Sequence, residues 1–535
     1  MSEGTQSSIS VANLFQKLRL KQKLSDAEAT SLLASDITPI RRCTAAVGLA
    51  FRIDLSTIEL AVLTKISDGY ENIVDACEPA ANLRASSNNV GQLPLPLHWV
   101  DALTCIRTNK SIRRPTLRKL VDDITANSAL DTAAAGLLMS ICINGMLDSD
   151  VDTLTEEMAL SGEQFDYRNE GEFHGARLIR RYPTGALSEK TALILPALIA
   201  SARDTANVLS PFLVAKSLGY TGGTWDKLSS IPGFLFPLPG EESIATLLEC
   251  GVAMTVTSGK ANPADRKLYQ LRSASGTIES QPLIISSIAS KHLCLPVHRL
   301  LLDVRVGEGA FLQSTSEGEE VGRRIRGILE SAGISCSYTI TGTLQPTGSA
   351  IGNALEVAEA IGVMGGPAAL WDVRGLLEQR LLVIDFFAKL MGAEYPQKSP
   401  AEWARIGMAK FESGVVLKHF AKILLAHHVS GEIVRQLIDD PFRVLEIDRL
   451  PANVHSSKSG MLNCIDQVRL GELVNREMGA GGNEFEGTFA GGAGVVLKCR
   501  IGDVVREGDL LCGVYGGGER SPWLGEQVSN CFIVS

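Results

Sequence analysis

The stretch Lys216-Ser217-Leu218-Gly219-Tyr220-Thr221-Gly222-Gly223-Thr224-Trp225-Asp226-Lys227-Leu228, with Ile231-Pro232-Gly233 behind it, decides the fold class. It joins an apolar run, Phe212-Leu213-Val214, which reads as a short buried strand, to an amphipathic segment that reads as a helix. Two adjacent glycines between threonines allow a sharp turn in which amide N–H groups and hydroxyls converge on an anion. Outward from this turn, between about Arg177 and Arg443, strand-like runs alternate with amphipathic helices. That alternation predicts an α/β layer fold. Candidate strands are Ala176–Ile179, Phe212–Val214, Ala253–Thr257 and Leu300–Val304. Several are followed by glycine or polar turns, and ligands of such folds sit beyond the strands' carboxyl ends.

Toward the N-terminus the chain is helical. Residues 11–69 and 106–162 share a helical period, and Ser25-Asp26 and Thr38-Pro39 mark helix starts. Thr44-Ala45-Ala46-Val47-Gly48-Leu49 and Thr132-Ala133-Ala134-Ala135-Gly136-Leu137 match at a constant offset of 88, and Leu63-Thr64 recurs as Leu154-Thr155. The match predicts a duplicated helical unit whose small residues let two helices approach closely. The copies are joined by a loop or linker, about Ala80 to Pro96, with Ser86-Ser87-Asn88-Asn89 and two prolines. From Gly460 onward glycines and β-formers dominate, as in Val495-Val496-Leu497 and Gly502-Asp503-Val504-Val505, so the tail reads as a small β-rich domain.

Composition narrows the function. A 535-residue chain has room for two to four domains with well-buried cores. A net charge of −9 offers no basic face for nucleic acid, while a local positive pocket still suits a small anion. The longest apolar stretch, Ala192–Ala202, contains Pro196 and is too short to span a membrane. Met1-Ser2-Glu3-Gly4 has no signal-peptide character, and Cys531 is one place off the prenylation spacing, so a soluble cytoplasmic protein is expected. The eleven cysteines show no Cys-x-x-Cys pair, and the adjacent His427 and His428 point about 100° apart on a helix. Neither a metal site nor a cofactor is expected.

Three groups of residues have the makings of chemistry. In Arg181-Tyr182-Pro183-Thr184-Gly185-Ala186-Leu187-Ser188-Glu189-Lys190, a strand-to-helix turn would place Thr184, the Gly185 amide and Lys190 at a helix N-terminus, where an anion is favoured. The plainer alternative makes Ser188 an ordinary N-cap. The Thr-Gly-Gly-Thr turn supplies the second group, with Lys216, Thr221 and Thr224. The third is Arg272 with Ser287 and Lys291, the last two four apart and so on one helix face. A guanidinium, a hydroxyl and an ammonium can hold the polar edge of a heterocycle and stabilise charge developing on a departing base.

Taken together, Tyr220–Leu228, Pro263–Arg272, Ser287–Lys291, Leu302–Phe311, Gln345-Pro346 and Gly352–Val357 resemble the thymidine phosphorylase and pyrimidine-nucleoside phosphorylase family. The resemblance runs from roughly Leu103 to Tyr515. It implies an all-helical domain plus a large α/β domain plus a small C-terminal β-rich domain. The boundaries read from the sequence are 1–90 for the extra helical unit and 100–165, completed by 264–294, for the helical domain. The α/β domain takes 170–263 and 295–452, and the β-rich domain 455–535. The implied reaction is phosphorolysis of a pyrimidine nucleoside, in pyrimidine salvage, by a homodimer that contacts through its helical lobes and closes each pair of lobes across a cleft. On this resemblance Arg272, Ser287 and Lys291 bind the pyrimidine. Tyr182, Arg272 and Lys291 take the catalytic positions, and Arg181, Thr184, Gly185, Lys190, Lys216, Thr221 and Thr224 line the anion site.

The anion half departs from the family pattern. Arg181 stands for a lysine, Lys216 for an arginine, and Tyr182 and Tyr220 for histidines, while Pro183, Ala192 and Val214 replace serines. Three lost hydroxyls at ~0.5–1.5 kcal/mol each remove about 2–4 kcal/mol of phosphate affinity. Pro183 also lacks an amide donor. The sequence therefore leaves three functions in play: the family's phosphorolysis, the same fold with another nucleophile or a phosphorylated substrate, and a non-catalytic nucleoside-binding or assembly homologue.

Overall fold

The structure, a computed structural model, describes residues 11–33, 37–52, 55–67, 70, 73–74, 95–126, 130–256, 260–369, 371–480, 491–516 and 521–535. Most of the linker expected between the helical copies lies outside these residues. Among the described residues, the chain opens with α1 Val11–Arg19, α2 Asp26–Ser31, α3 Pro39–Ala50, α4 Thr57–Ile66, α5 Leu97–Arg107, α6 Arg114–Ala126, α7 Asp131–Asn144 and α8 Asp148–Leu160. Next come β1 Arg177–Pro183, α9 Thr191–Ser201, β2 Val208–Val214, α10 Thr224–Ser229, α11 Glu241–Cys250 and β3 Val252–Val256. Two further helices, α12 Pro263–Ser275 and α13 Gln281–Cys294, precede β4 Arg299–Val306, α14 Thr315–Ser331 and β5 Ser335–Gly342. Beyond these lie β6 Ala350–Ile351, α15 Asn353–Val363 and α16 Val373–Glu394.

The chain folds as two compact units, Met1–Gln164 with Gly259–Cys294, and Phe165–Ser258 with Leu295–Ser535. The first is entirely helical where described, and the helix starts follow from side-chain chemistry. Ser25 and Thr38 accept the N3 amides of α2 and α3, which relieves orphan donors of the first turn. The two sequence copies repeat in three dimensions: Glu59 at the start of α4 accepts the Leu24 amide at 2.9 Å, and Asp150 at the start of α8 accepts the Ile112 amide at 2.9 Å. They do not form separate domains. One apolar core runs through both, from Leu14, Leu18 and Val47 to Leu103, Leu138 and Met158, and takes in Leu268 and Leu283 of α12 and α13. The first copy also touches the turn between α12 and α13. Phe15 lies under Gly276, Arg41 Nε donates to Ala274 O at 3.3 Å, and Arg19 pairs with Glu279.

In the second unit β1–β5 form a parallel sheet in the order β3-β2-β1-β4-β5. All four strands expected from the sequence are present; β1, β2 and β4 are longer than expected, whereas β3 is Val252–Val256, with Thr257 outside the described residues. The chain runs outward from β1 on one side and resumes beside β1 with β4, so the order reverses between these two strands. Helix α9 is buried along its whole length, the fate of the apolar stretch around Pro196. Among the described residues no helix is long and apolar enough to cross a membrane. The tail adds β7 Ala452–His455, β8 Gly460–Ile465, β9 Gly494–Leu497, β10 Val504–Val505, β11 Leu510–Tyr515 and β12 Phe532–Val534. These lie in two antiparallel sheets, β6-β9-β11-β7 and β10-β8-β12. The first of them borrows Ala350-Ile351 from well before the expected boundary at 455, because β9 needs a partner for its second edge.

Buried charge gives the helical unit a measurable weak point. Arg52 and Glu59 pair with side chains 1% and 0% exposed, and Arg52 also donates to Gln22 O. Glu59→Ala leaves Arg52 uncompensated in the interior and should lower the unfolding free energy by about 3–5 kcal/mol in urea titration. Lys17→Ala, at the more exposed Lys17–Glu28 pair, should cost less than about 1 kcal/mol.

Candidate active site

In the helical unit, α12 and α13 bring the residues expected to bind a base into one polar cluster. Ser287 Oγ donates to Asp265 Oδ1 at 2.6 Å, and Lys291 Nζ lies 2.6 Å from Asp265 Oδ2. Lys291 also donates to Ser287 Oγ at 2.8 Å and sits over the Tyr269 ring at 5.1 Å. Asp265 is the organiser of this cluster and was not singled out by sequence reasoning. Its signal was present in the spacing of Asp265, Tyr269 and Arg272, which places all three along one side of a helix.

Arg272 is 2% exposed and donates to the carbonyls of Ile278 at 2.6 Å and Leu283 at 3.3 Å. Its Nε–H has no acceptor among the described residues. Burial lowers the pKa values of Arg272 and Lys291 below their ordinary values, in Lys291 despite the opposing pull of Asp265. The Arg272 Nε–H is thus an unmatched donor near an ammonium and a hydroxyl whose protons go to Asp265 and Ser287, and it suits an acceptor such as a carbonyl oxygen of a pyrimidine.

The α/β unit places the anion-site candidates around the carboxyl ends of β1 and β4, where the strand order reverses and such folds bind ligands. Arg181 pairs with Asp303, and its Nη1 is 3.1 Å from Glu189 Oε1. Arg305 Nε lies 2.6 Å from Asp303 Oδ2 and Arg305 Nη2 3.7 Å from Glu189 Oε1. Both guanidinium groups lie over the Phe386 ring, at 4.9 and 5.8 Å. Thr184 Oγ1 accepts the Arg305 amide at 2.9 Å, and Gly185, at φ +105°, lies so close to Phe311 that an added Cβ would be 2.8 Å from its ring.

Lys190 stands at the N-terminus of α9, as expected, but its side chain is not open to an anion. It is fully buried, 2.8 Å from Glu359 Oε2, and donates to Ser188 Oγ at 2.8 Å and Thr347 O at 2.5 Å. Ser188 is not a cap either: at φ +61° it donates to the Thr347 and Ala350 carbonyls. Consecutive residues of a strand face opposite sides of the sheet, so Tyr182 points away from the face that carries Arg181.

The Thr-Gly-Gly-Thr turn is built on one carboxylate. Asp226 Oδ2 accepts the amides of Ser217 at 2.6 Å and Gly223 at 3.1 Å, so those donors close on the turn itself. A Cβ at Gly223 would lie 2.3–2.5 Å from the backbone of Ala215–Ser217, which is why glycine stands there. Burial pushes the Asp226 carboxyl up to about 6, against those hydrogen bonds and the nearby Lys216 and Lys227. Thr221 Oγ1 donates to Leu218 O at 2.9 Å, and Thr224 opens α10 half-buried. Lys216 is exposed, with its ammonium 4.3 Å from the Trp225 ring. Lys227, not singled out from the sequence, is buried 2.8 Å from Glu356 Oε2 and donates to Glu189 O at 2.5 Å. Four buried cations, Arg181, Lys190, Lys227 and Arg305, are thus matched by four buried carboxylates, Glu189, Asp303, Glu356 and Glu359.

Comparison with known proteins agrees with this architecture. Residues 195–371 match a family described as "Glycosyl transferase family, a/b domain". The pyrimidine-nucleoside phosphorylase of Bacillus subtilis (strain 168) is 30% identical over 427 residues, 79% of this chain and 93% of the relative. Those of Staphylococcus haemolyticus and Geobacillus stearothermophilus are each 29% identical, over 423 and 427 residues, with the same shares covered. The chain belongs to the pyrimidine-nucleoside phosphorylase family. Among solved structures, an anthranilate phosphoribosyltransferase (TrpD) from Thermus thermophilus matches 62% of this chain and all of its own at 14% identity and a TM-score of 0.46, a likeness too slight to bear on function.

The charge network yields a pH prediction. Burial alone would raise the Glu189 carboxyl, but Arg181, Arg305 and Lys227 overcome it and hold it at about 2. A carboxyl depressed on folding stabilises the protein above the ordinary glutamate range, and that contribution is lost as pH falls from about 4.5 toward 2. Glu189→Gln should cost about 3–5 kcal/mol at neutral pH, because two buried arginines lose a shared counter-charge. Urea titrations in steps of pH should then show a shallower acid loss for the variant than for the wild type.

Proposed function

We propose that this chain cleaves the N-glycosidic bond of a pyrimidine nucleoside by phosphorolysis, giving the free base and a pentose 1-phosphate. The observation that carries the reading is the α12–α13 cluster: Arg272 with an unmatched Nε–H, and Lys291 and Ser287 braced by Asp265. The Arg272 Nε–H suits a carbonyl oxygen of a pyrimidine ring, and the Lys291 ammonium, with Ser287 held by Asp265, supplies positive charge beside it. They gain most when that ring takes on negative charge as it leaves, so they favour the transition state over the ground state. In the α/β unit Arg181, Thr184, Gly185, Thr221, Thr224 and the exposed Lys216 are the groups we assign to the attacking anion, with Lys190 holding the loop from within. A cytoplasmic setting belongs to this reading and is supported by the ten described cysteines, all thiols.

One observation favours a second reading within the same chemistry. Because the four buried cations are already matched by carboxylates, the site offers little uncompensated charge to a phosphate dianion. Another nucleophile, water included, then becomes the competitor to phosphate.

Purified protein incubated with uridine or thymidine and phosphate should release free base together with a pentose 1-phosphate. Base release that is unchanged when phosphate is omitted would replace phosphorolysis by the second reading. Silence across a panel of pyrimidine nucleosides would overturn both. Ser287→Ala, which keeps the Asp265–Lys291 pair, should raise the nucleoside KM about tenfold and leave the phosphate KM unchanged.

A further inference from the structure

Two carbonyls hold the Arg272 guanidinium: Nη2 donates to Ile278 O at 2.6 Å and Nη1 to Leu283 O at 3.3 Å. The nearer acceptor belongs to the turn 276–280 between α12 and α13, so the guanidinium follows that turn. Three contacts from the first repeat land on the turn and its approach. Arg41 of α3 donates to Ala274 O at 3.3 Å, Phe15 of α1 fills the space beside Gly276, and Arg19 of α1 pairs with Glu279. They fall on both sides of Ile278 in the sequence. Gly276, at φ +68°, has no room for a side chain, since a Cβ there would lie 2.9 Å from Phe15 Cβ and Cγ. Cys142 of α7 donates to Thr277 O in the same turn, at 3.7 Å. Burial pushes its thiol up to about 11, while the charges of Arg19 and Arg272 pull it down. An arginine of the first repeat and the arginine of the base cluster therefore act on one buried atom.

We propose that the first helical repeat is a positioning element for base recognition: Arg19 and Arg41 fix the turn 276–280, and its Ile278 carbonyl sets the direction of the unmatched Arg272 Nε–H. This role rests on the base-binding function given to Arg272 above. The other members of the cluster do not share the dependence, because Asp265, Ser287 and Lys291 brace one another within α12 and α13. The repeat acts on recognition through one of the three expected base ligands.

Arg19→Met and Arg41→Met keep the side-chain stems and remove the polar contacts; both residues are half-buried, so the chain should fold. In full-length protein carrying isotope-labelled arginine, the Arg272 Nε–H resonance, assigned by its loss in Arg272→Lys, should move in both variants. The nucleoside KM should rise about threefold to tenfold, the range for one weakened hydrogen bond, with the phosphate KM unchanged. Arg19→Lys, which can still meet Glu279, should restore resonance and KM. Val62→Ala, a loss of packing in α4 away from the turn, should alter neither. An Arg272 resonance that stays in place in both methionine variants overturns the inference, and so does one that moves while the nucleoside KM does not. A wild type silent on every pyrimidine nucleoside would end the phosphorolysis reading alone, and the resonance would then decide the positioning role. If either methionine variant does not fold, Glu279→Gln tests the same contact from the turn's side.

Discussion

The α/β unit depends on a group of charges that have left water together. Asp303, from the middle of β4, holds Arg181 of β1 and Arg305 two residues along its own strand, and Thr341 of β5 donates to it at 2.6 Å. Removing such ions from solvent costs several kcal/mol each, and the arrangement persists because each is matched and shares hydrogen bonds. The group ties three adjacent strands at the end of the sheet where a ligand belongs, and through Glu189 it fixes the loop after β1. Electrostatic order of this kind is what a site for a small anion needs, since donors held in place do not have to reorganise when charge moves. The same order restricts the site, because much of its positive charge is answered from inside.

The helical unit arranges its buried charges differently. Burial lowers the Lys291 pKa, Asp265 opposes that shift, and the same carboxylate accepts the Ser287 hydroxyl. Arg272 is held by backbone carbonyls instead of by a carboxylate, which leaves part of its hydrogen-bonding capacity unanswered. Two cations on consecutive helices are thus treated oppositely, Lys291 paired with a carboxylate and Arg272 left with an unmatched N–H.

Much of this was legible in the sequence where local physics decides. Ser25 and Thr38 announced helix starts because a side-chain oxygen can satisfy first-turn amides. The four parallel strands announced themselves as apolar runs, and the duplication as a constant offset between two alanine-rich segments. The pairing of Ser287 with Lys291 followed from helical spacing alone. What could not be read was pairing through space. Nothing local links Arg181 to Asp303, Lys190 to Glu359 or Lys227 to Glu356, so lysines and arginines that looked available for an anion were already engaged. Ser188 looked like a cap and adopts a left-handed turn instead, because the Thr347 and Ala350 carbonyls approach from another part of the chain. The two-residue strand at Ala350 was too short to carry any pattern.

The first repeat also reaches the turn between α12 and α13. Phe15, Arg19 and Arg41 press on residues 274–279, and the Ile278 carbonyl in that same turn steers the Arg272 guanidinium. Displacements well under an ångström at a reacting group alter rates severalfold. Variation near residue 15 can therefore shift the Arg272 guanidinium while Asp265, Ser287 and Lys291 keep the contacts they make with one another.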